Sequence, residues 1–260
     1  MNAEGPPRGV HCSPLGGSAA AQAASVGAHG TRFAVAAVAF DLDGTLLDTI
    51  HDLAAAVNRL LAEHAMAPLP KATVRDLVGK GIANLVGRAV ALSRGAAPDS
   101  AELGVLLARY QAIYAEQLGR ETNLFPGVVE GLARMRDAGL ALAVVTNKAS
   151  RFVAPHLEHA GIAHYFATTV GGDDAPAKKP DAAPLRLVAQ RLGVATARLL
   201  MVGDSGNDAL AARAAGCPVV VVPYGYNEGR PVASLDADGI VASIAEVADL
   251  VTRADDALVR

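Results

Sequence analysis

Residues 33–40 form a short, almost unbroken apolar run that stops at Asp41. A run of that length without alternation reads as a strand buried on both faces. The pattern recurs at 140–145, which ends in Thr146-Asn147, at 199–202, which ends in Gly203-Asp204, and at 219–222, which ends in Pro223-Tyr224. A weaker run at 168–170 ends in Gly171-Gly172, and 240–242 has the length of a short edge strand. Apolar residues at helical spacing fill the gaps at 128–137, 150–159, 184–192, 208–215 and 244–251. Strand alternating with helix predicts an α/β fold, a doubly wound parallel sheet covered on both faces. In such sheets the ligand crevice lies beyond the carboxyl ends of the strands. The polar residues that terminate the runs all fall there.

One stretch breaks the alternation. From Thr49 to about Arg120 there is no strand-like run, and three apolar sets repeat at helical spacing. These are Leu53, Val57, Leu60 and Leu61; Ile82, Leu85, Val86 and Ala89; and Leu103, Leu107, Tyr110 and Tyr114. The expected organisation is a catalytic core of 32–48 and 122–260 with a helical cap domain, 49–121, inserted after the first strand. A bundle over the crevice could act as a lid. Residues 1–31 are rich in Gly, Ala, Ser and Pro and have no hydrophobic period, which reads as a flexible extension. Glycine and proline interrupt each apolar run there, so a secretory leader is not expected.

Composition narrows the classes. The chain is 260 residues long, 52% hydrophobic and 19% charged, the profile of a globular protein with a full core. Its formal charge of -3 provides no field for nucleic acid or an anionic membrane. No stretch approaches the ~18 apolar residues of a membrane span. Two cysteines, Cys12 and Cys217, do not make a disulfide framework, and the default compartment is the cytoplasm.

The strand ends then acquire a chemistry. The first supplies Asp41 and Asp43, two apart and therefore on one face, although the Gly44 turn can swing Asp43 aside. The second supplies the Thr146 hydroxyl and the Asn147 amide. The fourth supplies Asp204 and, past a Ser205-Gly206 turn, Asn207 and Asp208. Lys178-Lys179-Pro180 stands between the third and fourth. Carboxylates that converge repel one another unless a cation sits among them. An oxygen-rich site is what Mg²⁺ prefers, and it leaves room for substrate phosphate. Phosphoryl transfer asks a protein mainly for positioning and charge neutralisation.

The segment Asp41-Leu-Asp-Gly-Thr-Leu-Leu-Asp48 resembles the first motif of the haloacid dehalogenase-like hydrolases. Val144-Val-Thr-Asn147 is similar to their second motif, Lys179-Pro180 to their third and Gly203-Asp-Ser-Gly-Asn-Asp208 to their fourth. Order and spacing agree over about 33–253. The resemblance implies a Rossmann-like core with a cap after the first motif, and a set of roles. Asp41 is the nucleophile that becomes phosphorylated, and Asp43 the general acid and then base. Asp41, the Asp43 backbone carbonyl and Asp204 are Mg²⁺ ligands. Thr146 and the Asn147 N–H hold phosphoryl oxygens, and Lys179 balances charge. Asp208, Asp173 and Thr45 stand behind these, with Thr45 expected to fix Asp43. An aspartate at position 43 favours phosphatase over dehalogenase chemistry, because attack on carbon needs no acid there.

Within that family, Gly171-Gly-Asp-Asp174, Ala214-Ala-Gly-Cys217, Tyr224-Gly-Tyr-Asn227 and Val78-Gly-Lys-Gly81 are similar to bacterial phosphoglycolate phosphatases. This implies hydrolysis of 2-phosphoglycolate, a small phosphorylated metabolite, by a monomer or homodimer. Lys80, or the amides of Gly81 and Ile82, are the candidates to meet the substrate's carboxylate. The alternatives are a broader sugar-phosphate or nucleotide phosphatase, a phosphomutase, a phosphonate hydrolase with Lys80 as its Schiff-base lysine, or a silent phospho-ligand binder.

Other motifs carry less. Gly203-Asp-Ser-Gly206 is not a nucleophile elbow, because Asn207 stands where the second glycine belongs. Gly79-Lys-Gly81 lies in the helical insert rather than after a strand, which excludes a dinucleotide fingerprint. His156 and His159 read as helix-surface residues, and Asp174 as ordinary loop solvation.

Overall fold

A computed structural model describes residues 32–254, so the expected extension at 1–31 and Cys12 lie outside the described residues. The first apolar run divides at Ala36 into β1 (Phe33–Val35) and β2 (Ala37–Phe40). After β3 (Leu47–Asp48) come four helices: α1 (Ile50–Glu63), α2 (Lys71–Arg75), α3 (Ile82–Arg94) and α4 (Ser100–Gln117). The chain returns through β4 (Asn123–Leu124), α5 (Val128–Asp137), β5 (Ala141–Val145) and α6 (Val153–His159). Next are β6 (Thr168–Val170), α7 (Ala183–Leu192), β7 (Leu199–Gly203), α8 (Gly206–Ala215) and β8 (Val219–Val221). Last are β9 (Gly239–Ile240), α9 (Ile244–Leu250) and β10 (Val251–Arg253).

The main sheet has the order β6-β5-β2-β7-β8-β9, and each neighbouring pair is parallel. Period-two alternation explains its double burial. Val38 and Phe40 of β2 join one apolar cluster with α5 and α9, while Ala37 and Ala39 join the other with α7 and α8. From β6 the chain crosses back to β7 on the far side of β2. The order therefore reverses beside β2, and Asp41 follows directly from that strand.

Two pairings were not read from the sequence. Residue 251, expected to finish the last helix, instead opens β10, which pairs in parallel with β1 through Phe33↔Val251. The two-residue strands β3 and β4 pair antiparallel at the points where the chain leaves and re-enters the sheet region.

Between those points, α1–α4 pack around their own apolar cluster, which includes Leu53, Leu60, Val86, Leu106, Tyr110 and Tyr114. The buried stripe of α4 is rotated from the expected one, and Leu106 and Ile113 are buried where Leu103 and Leu107 are only partly so. Both crossings are tied by buried polar groups. At the first, the Tyr226 hydroxyl accepts from the N–H groups of Thr49 (2.8 Å) and Ile50 (3.1 Å), which begin α1 and have no intrahelical partner. At the second, the fully buried Asp52 carboxylate accepts from the Gly119 and Glu121 N–H groups at 2.9 Å and from Thr122 Oγ1 at 2.8 Å.

His156 extends that second group, which corrects its expected surface placement: it is fully buried, with Nε2 2.9 Å from Thr122 Oγ1. The Thr122 hydroxyl hydrogen goes to Asp52, so Thr122 accepts from His156 Nε2–H and the ring is the neutral Nε2 tautomer. Burial foremost, with the Lys148 charge, holds His156 down at about 4. His159 is exposed, as expected. Among the described residues no helix is long and apolar enough to cross a membrane.

Candidate active site

The site forms where β2, β5 and β7 end. Asp41 is fixed by the sheet itself: its N–H donates to the Val202 carbonyl at 2.9 Å, continuing the ladder between β2 and β7. Its Oδ1 accepts from the Leu42 N–H at 2.7 Å and lies 3.0 Å from Lys179 Nζ. The Lys179 ammonium is buried and also donates to the Val145 carbonyl (2.7 Å) and Asp208 Oδ1 (2.6 Å). Burial alone would depress this lysine, but the Asp208 and Asp41 carboxylates outweigh it and hold the ammonium above its ordinary range.

Asp208 acts through its neighbours. Its second oxygen accepts from Ser205 Oγ (2.7 Å) and from the Ser205 (3.1 Å) and Asp204 (3.2 Å) N–H groups, closing the capping box that starts α8. One carboxylate thus both begins the helix and aims Lys179.

Asp204 is held on three sides. Thr45 Oγ1 donates to its Oδ1 at 2.8 Å, and the Tyr226 N–H donates to Oδ2. Thr45 therefore positions Asp204, not Asp43 as expected. Gly44 and Gly225 pack against the same carboxylate, and a Cβ on either would stand 2.4 or 2.2 Å from Oδ2. Only glycine permits that approach.

Asp41, Asp204 and Asp208 offer carboxylate oxygens that all lie within 4.8 Å of one another. Burial pushes Asp41 up to about 6 against the pull of Lys179, with the Asp208 and Asp43 charges adding to the rise. Burial, then the Asp208 and Asp41 charges, pushes Asp204 well above the carboxylate range. One lysine does not compensate this cluster. A hard, oxygen-seeking divalent cation would, so the donor set fits Mg²⁺. Asp208 is the most heavily engaged, with Lys179 on one oxygen and three donors of the α8 turn on the other. Each Asp204 oxygen accepts one hydrogen bond and Asp41 is engaged through Oδ1, which leaves those two the lone pairs to ligate.

Asp43 faces a different partner. Lys148, which the sequence reading passed over, places its buried Nζ 3.0 and 3.2 Å from the two Asp43 oxygens and 2.6 Å from the Tyr114 hydroxyl. Burial pushes Asp43 up, but the Lys148 charge prevails and the carboxyl sits below its ordinary value. Following Thr146-Asn147, Lys148 looks in sequence like any surface lysine, and only the position of Tyr114 on α4 reveals its burial.

A cavity of about 50 Å³ lies between these groups and the helices. Asp41, Asp43, Thr146, Asn147 and Lys148 line it from the sheet side. Asn147 Nδ2 donates to the carbonyls of Lys179 and Gly79, both at 2.8 Å, which ties the 79–81 loop to the strand ends. Gly81, which opens α3, lines the cavity with Ile82. Lys80 does not: its Nζ is 2.6 Å from Glu228 and its side chain is 45% exposed. Asp173 lies apart from the acidic cluster and accepts from the Ser150 N–H and hydroxyl at 2.6 and 2.5 Å, because its loop folds over the start of the segment after β5. Asp174 accepts from the Gly171 N–H within its own turn at 2.8 Å.

The comparisons with known proteins agree with this geometry. Residues 38–222 match the family model described as haloacid dehalogenase-like hydrolase. A phosphoglycolate phosphatase of Thiobacillus denitrificans is 46% identical over 220 residues, spanning 85% of this chain and 97% of that protein. One of Nitrosospira multiformis is 47% identical over 219 residues, 84% of this chain and 96% of that protein. Among solved structures, a predicted phosphoglycolate phosphatase from Haemophilus somnus superposes with a TM-score of 0.79 at 34% identity, covering 83% of this chain and 97% of its own. With the fold, the four strand-end clusters and these likenesses in agreement, the chain belongs to the haloacid dehalogenase-like hydrolases.

Proposed function

We propose that this protein is a Mg²⁺-dependent phosphatase that hydrolyses 2-phosphoglycolate to glycolate and phosphate. One observation carries the reading: Asp41 and Asp43, two residues apart, line the same small cavity while each is paired to its own lysine, Lys179 and Lys148. That separates a nucleophile from an acid–base group within one turn. The choice of substrate is supported by the names of the relatives above.

In the reading's first step, an Asp41 oxygen bonds to phosphorus as the bond to the ester oxygen breaks, and Asp43 gives its proton to the departing alkoxide. In the second, a water oxygen bonds to phosphorus, the bond to Asp41 breaks, and Asp43 takes the water's proton. Lys148 keeps the resting Asp43 ionised. The approaching phosphate dianion opposes that effect and raises the carboxyl, so Asp43 acquires its proton as substrate binds. Thr146 and the Asn147 N–H receive phosphoryl oxygens, and Lys179 offsets the charge of Asp41 against the phosphate. Asp41, Asp204 and the Asp43 backbone carbonyl would hold Mg²⁺, which when bound supplies charge neutralisation at the phosphoryl group.

Asp41→Asn tests the mechanism. It should abolish phosphate release from 2-phosphoglycolate while leaving the circular dichroism spectrum unchanged, and turnover retained above a few per cent of wild type sinks it. A panel of phosphomonoesters, followed by phosphate release, should rank 2-phosphoglycolate first in kcat/KM.

A further inference from the structure

Lys80 was the expected cation for the far end of the substrate, but it is engaged by Glu228 outside the cavity. The cavity instead holds two phenols, beside Lys148, to which the reaction itself assigns no part. Tyr110 and Tyr114, one helical turn apart on α4, both line it and stack with ring centroids 5.9 Å apart and planes 6° from parallel. Both rings are buried, and the Tyr110 hydroxyl has no partner among the described residues. The Tyr114 hydroxyl accepts from Lys148 at 2.6 Å, so its own hydrogen remains to be donated. Burial raises both phenols well above their ordinary range, which keeps them protonated. The remaining helix-side lining is the apolar side chains of Leu53, Val78, Ile82 and Leu85 and the glycines of the 79–81 loop.

A buried donor without an acceptor is costly to keep. Two phenols with hydrogens left to donate, beside an ammonium, favour a ligand that is negatively charged and rich in acceptors. Resting on the phosphoglycolate reading, we propose that Tyr110, Tyr114 and Lys148 form the subsite for the substrate's carboxylate. The spacing is consistent. In 2-phosphoglycolate the carboxylate carbon is two bonds from the ester oxygen that Asp43 protonates, and Lys148 lies 3.0 Å from Asp43. As Asp43 takes up its proton on substrate binding, the Lys148 ammonium loses its charged partner there and is left to pair with the substrate carboxylate. Tyr110 is then a specificity residue, and its hydroxyl is paired only when a carboxylate-bearing substrate is bound.

The test compares ligands that differ only in the carboxylate. Wild type and Tyr110→Phe are assayed with 2-phosphoglycolate and ethyl phosphate, and for competitive inhibition by 3-phosphonopropionate and propylphosphonate. The expected result is that Tyr110→Phe lowers the kcat/KM ratio of 2-phosphoglycolate to ethyl phosphate about 10-fold or more, the size of one hydrogen bond to a charged acceptor. The change should lie mainly in KM, with a matching loss in the preference for 3-phosphonopropionate. An equal effect on both members of each pair, or none, overturns the subsite. A wild-type enzyme that does not prefer 2-phosphoglycolate to ethyl phosphate overturns the substrate reading itself, and the subsite with it. Should Tyr110→Phe not fold, the wild-type inhibition constants decide: equal affinity for the two phosphonates rejects the carboxylate subsite.

Discussion

At the scale of single residues, the site is a set of carboxylates separated by what each is tied to. Asp41 and Asp208 share Lys179, Asp43 has Lys148, and Asp204 has Thr45 and a backbone N–H. Thr45 is the most direct of these ties to test. Thr45→Val keeps the shape of a fully buried side chain but removes the O–H that fixes Asp204 Oδ1. The Mg²⁺ concentration for half-maximal activity should rise about 10-fold, as when the groups behind a metal ligand are lost elsewhere. An unchanged Mg²⁺ titration would show that Asp204 does not depend on this contact. The carboxylates were legible in sequence because Asp41 and Asp204 close apolar runs and Asp43 and Asp208 follow within four residues, and a strand end is a place that sequence can specify. Lys148, Tyr110 and Tyr114 were not. A lysine after a strand and tyrosines on an apolar helical stripe have ordinary explanations until tertiary contact puts them in one cavity.

At the scale of elements, the joints between helices and sheet carry the polar burial. Asp52 alone satisfies two N–H groups and one hydroxyl of the returning chain. Asp52→Ala should cost about 2–4 kcal/mol in urea unfolding, since it strands buried donors. His156 gives the same joint a pH dependence. Its folded value of about 4 is below the unfolded 6.5. Above pH 6.5 the ring is neutral in both states and stability is whole. As pH falls below 6.5 the unfolded chain takes up a proton that the native joint refuses, and about 2 kcal/mol is lost by pH 5. His156→Gln should flatten that part of the stability–pH curve, and an unaltered slope would assign the acid lability to other groups. Helical spacing located α1, α3 and α4 from sequence. It could not show that Asp52 and His156 point inward, because an isolated polar residue in an amphipathic pattern normally marks the wet face.

For the molecule as a whole, the parallel, doubly covered character of the main sheet was legible, while its strand order and its small companions were not. Strands of two or three residues, such as β3, β4 and β10, have too little pattern to read and are fixed by distant partners. The acidic cluster should make the stability of the whole molecule depend on cation. Asp41 and Asp204 are both raised by burial and mutual charge, so near neutral pH their ionised forms weigh against the native state. For Asp41 the sign follows from a folded value of about 6 above an unfolded 3.8: the native state holds the proton more tightly, and stability falls as pH rises between the two. Mg²⁺ at a hundredfold its dissociation constant should restore about 2.7 kcal/mol, raising the thermal midpoint by about 5 °C or more at pH 7 relative to chelator. Asp204→Asn should remove most of that shift, and a midpoint indifferent to Mg²⁺ would reject these residues as its ligands.

The pairing of β1 with β10 sets an order of events during synthesis. Phe33–Val35 are among the first described residues to leave the ribosome, yet among the described residues their only strand partners are Val251–Arg253. The neighbouring β2 also waits for β5 and then β7. The segment that carries Asp41 is therefore held by its full set of strand partners only late in translation, and the nascent chain exposes this apolar stretch for most of that time. A ribosome stalled before residue 251 would leave β1 as an open edge, a site for chaperone capture or for pairing with another nascent chain.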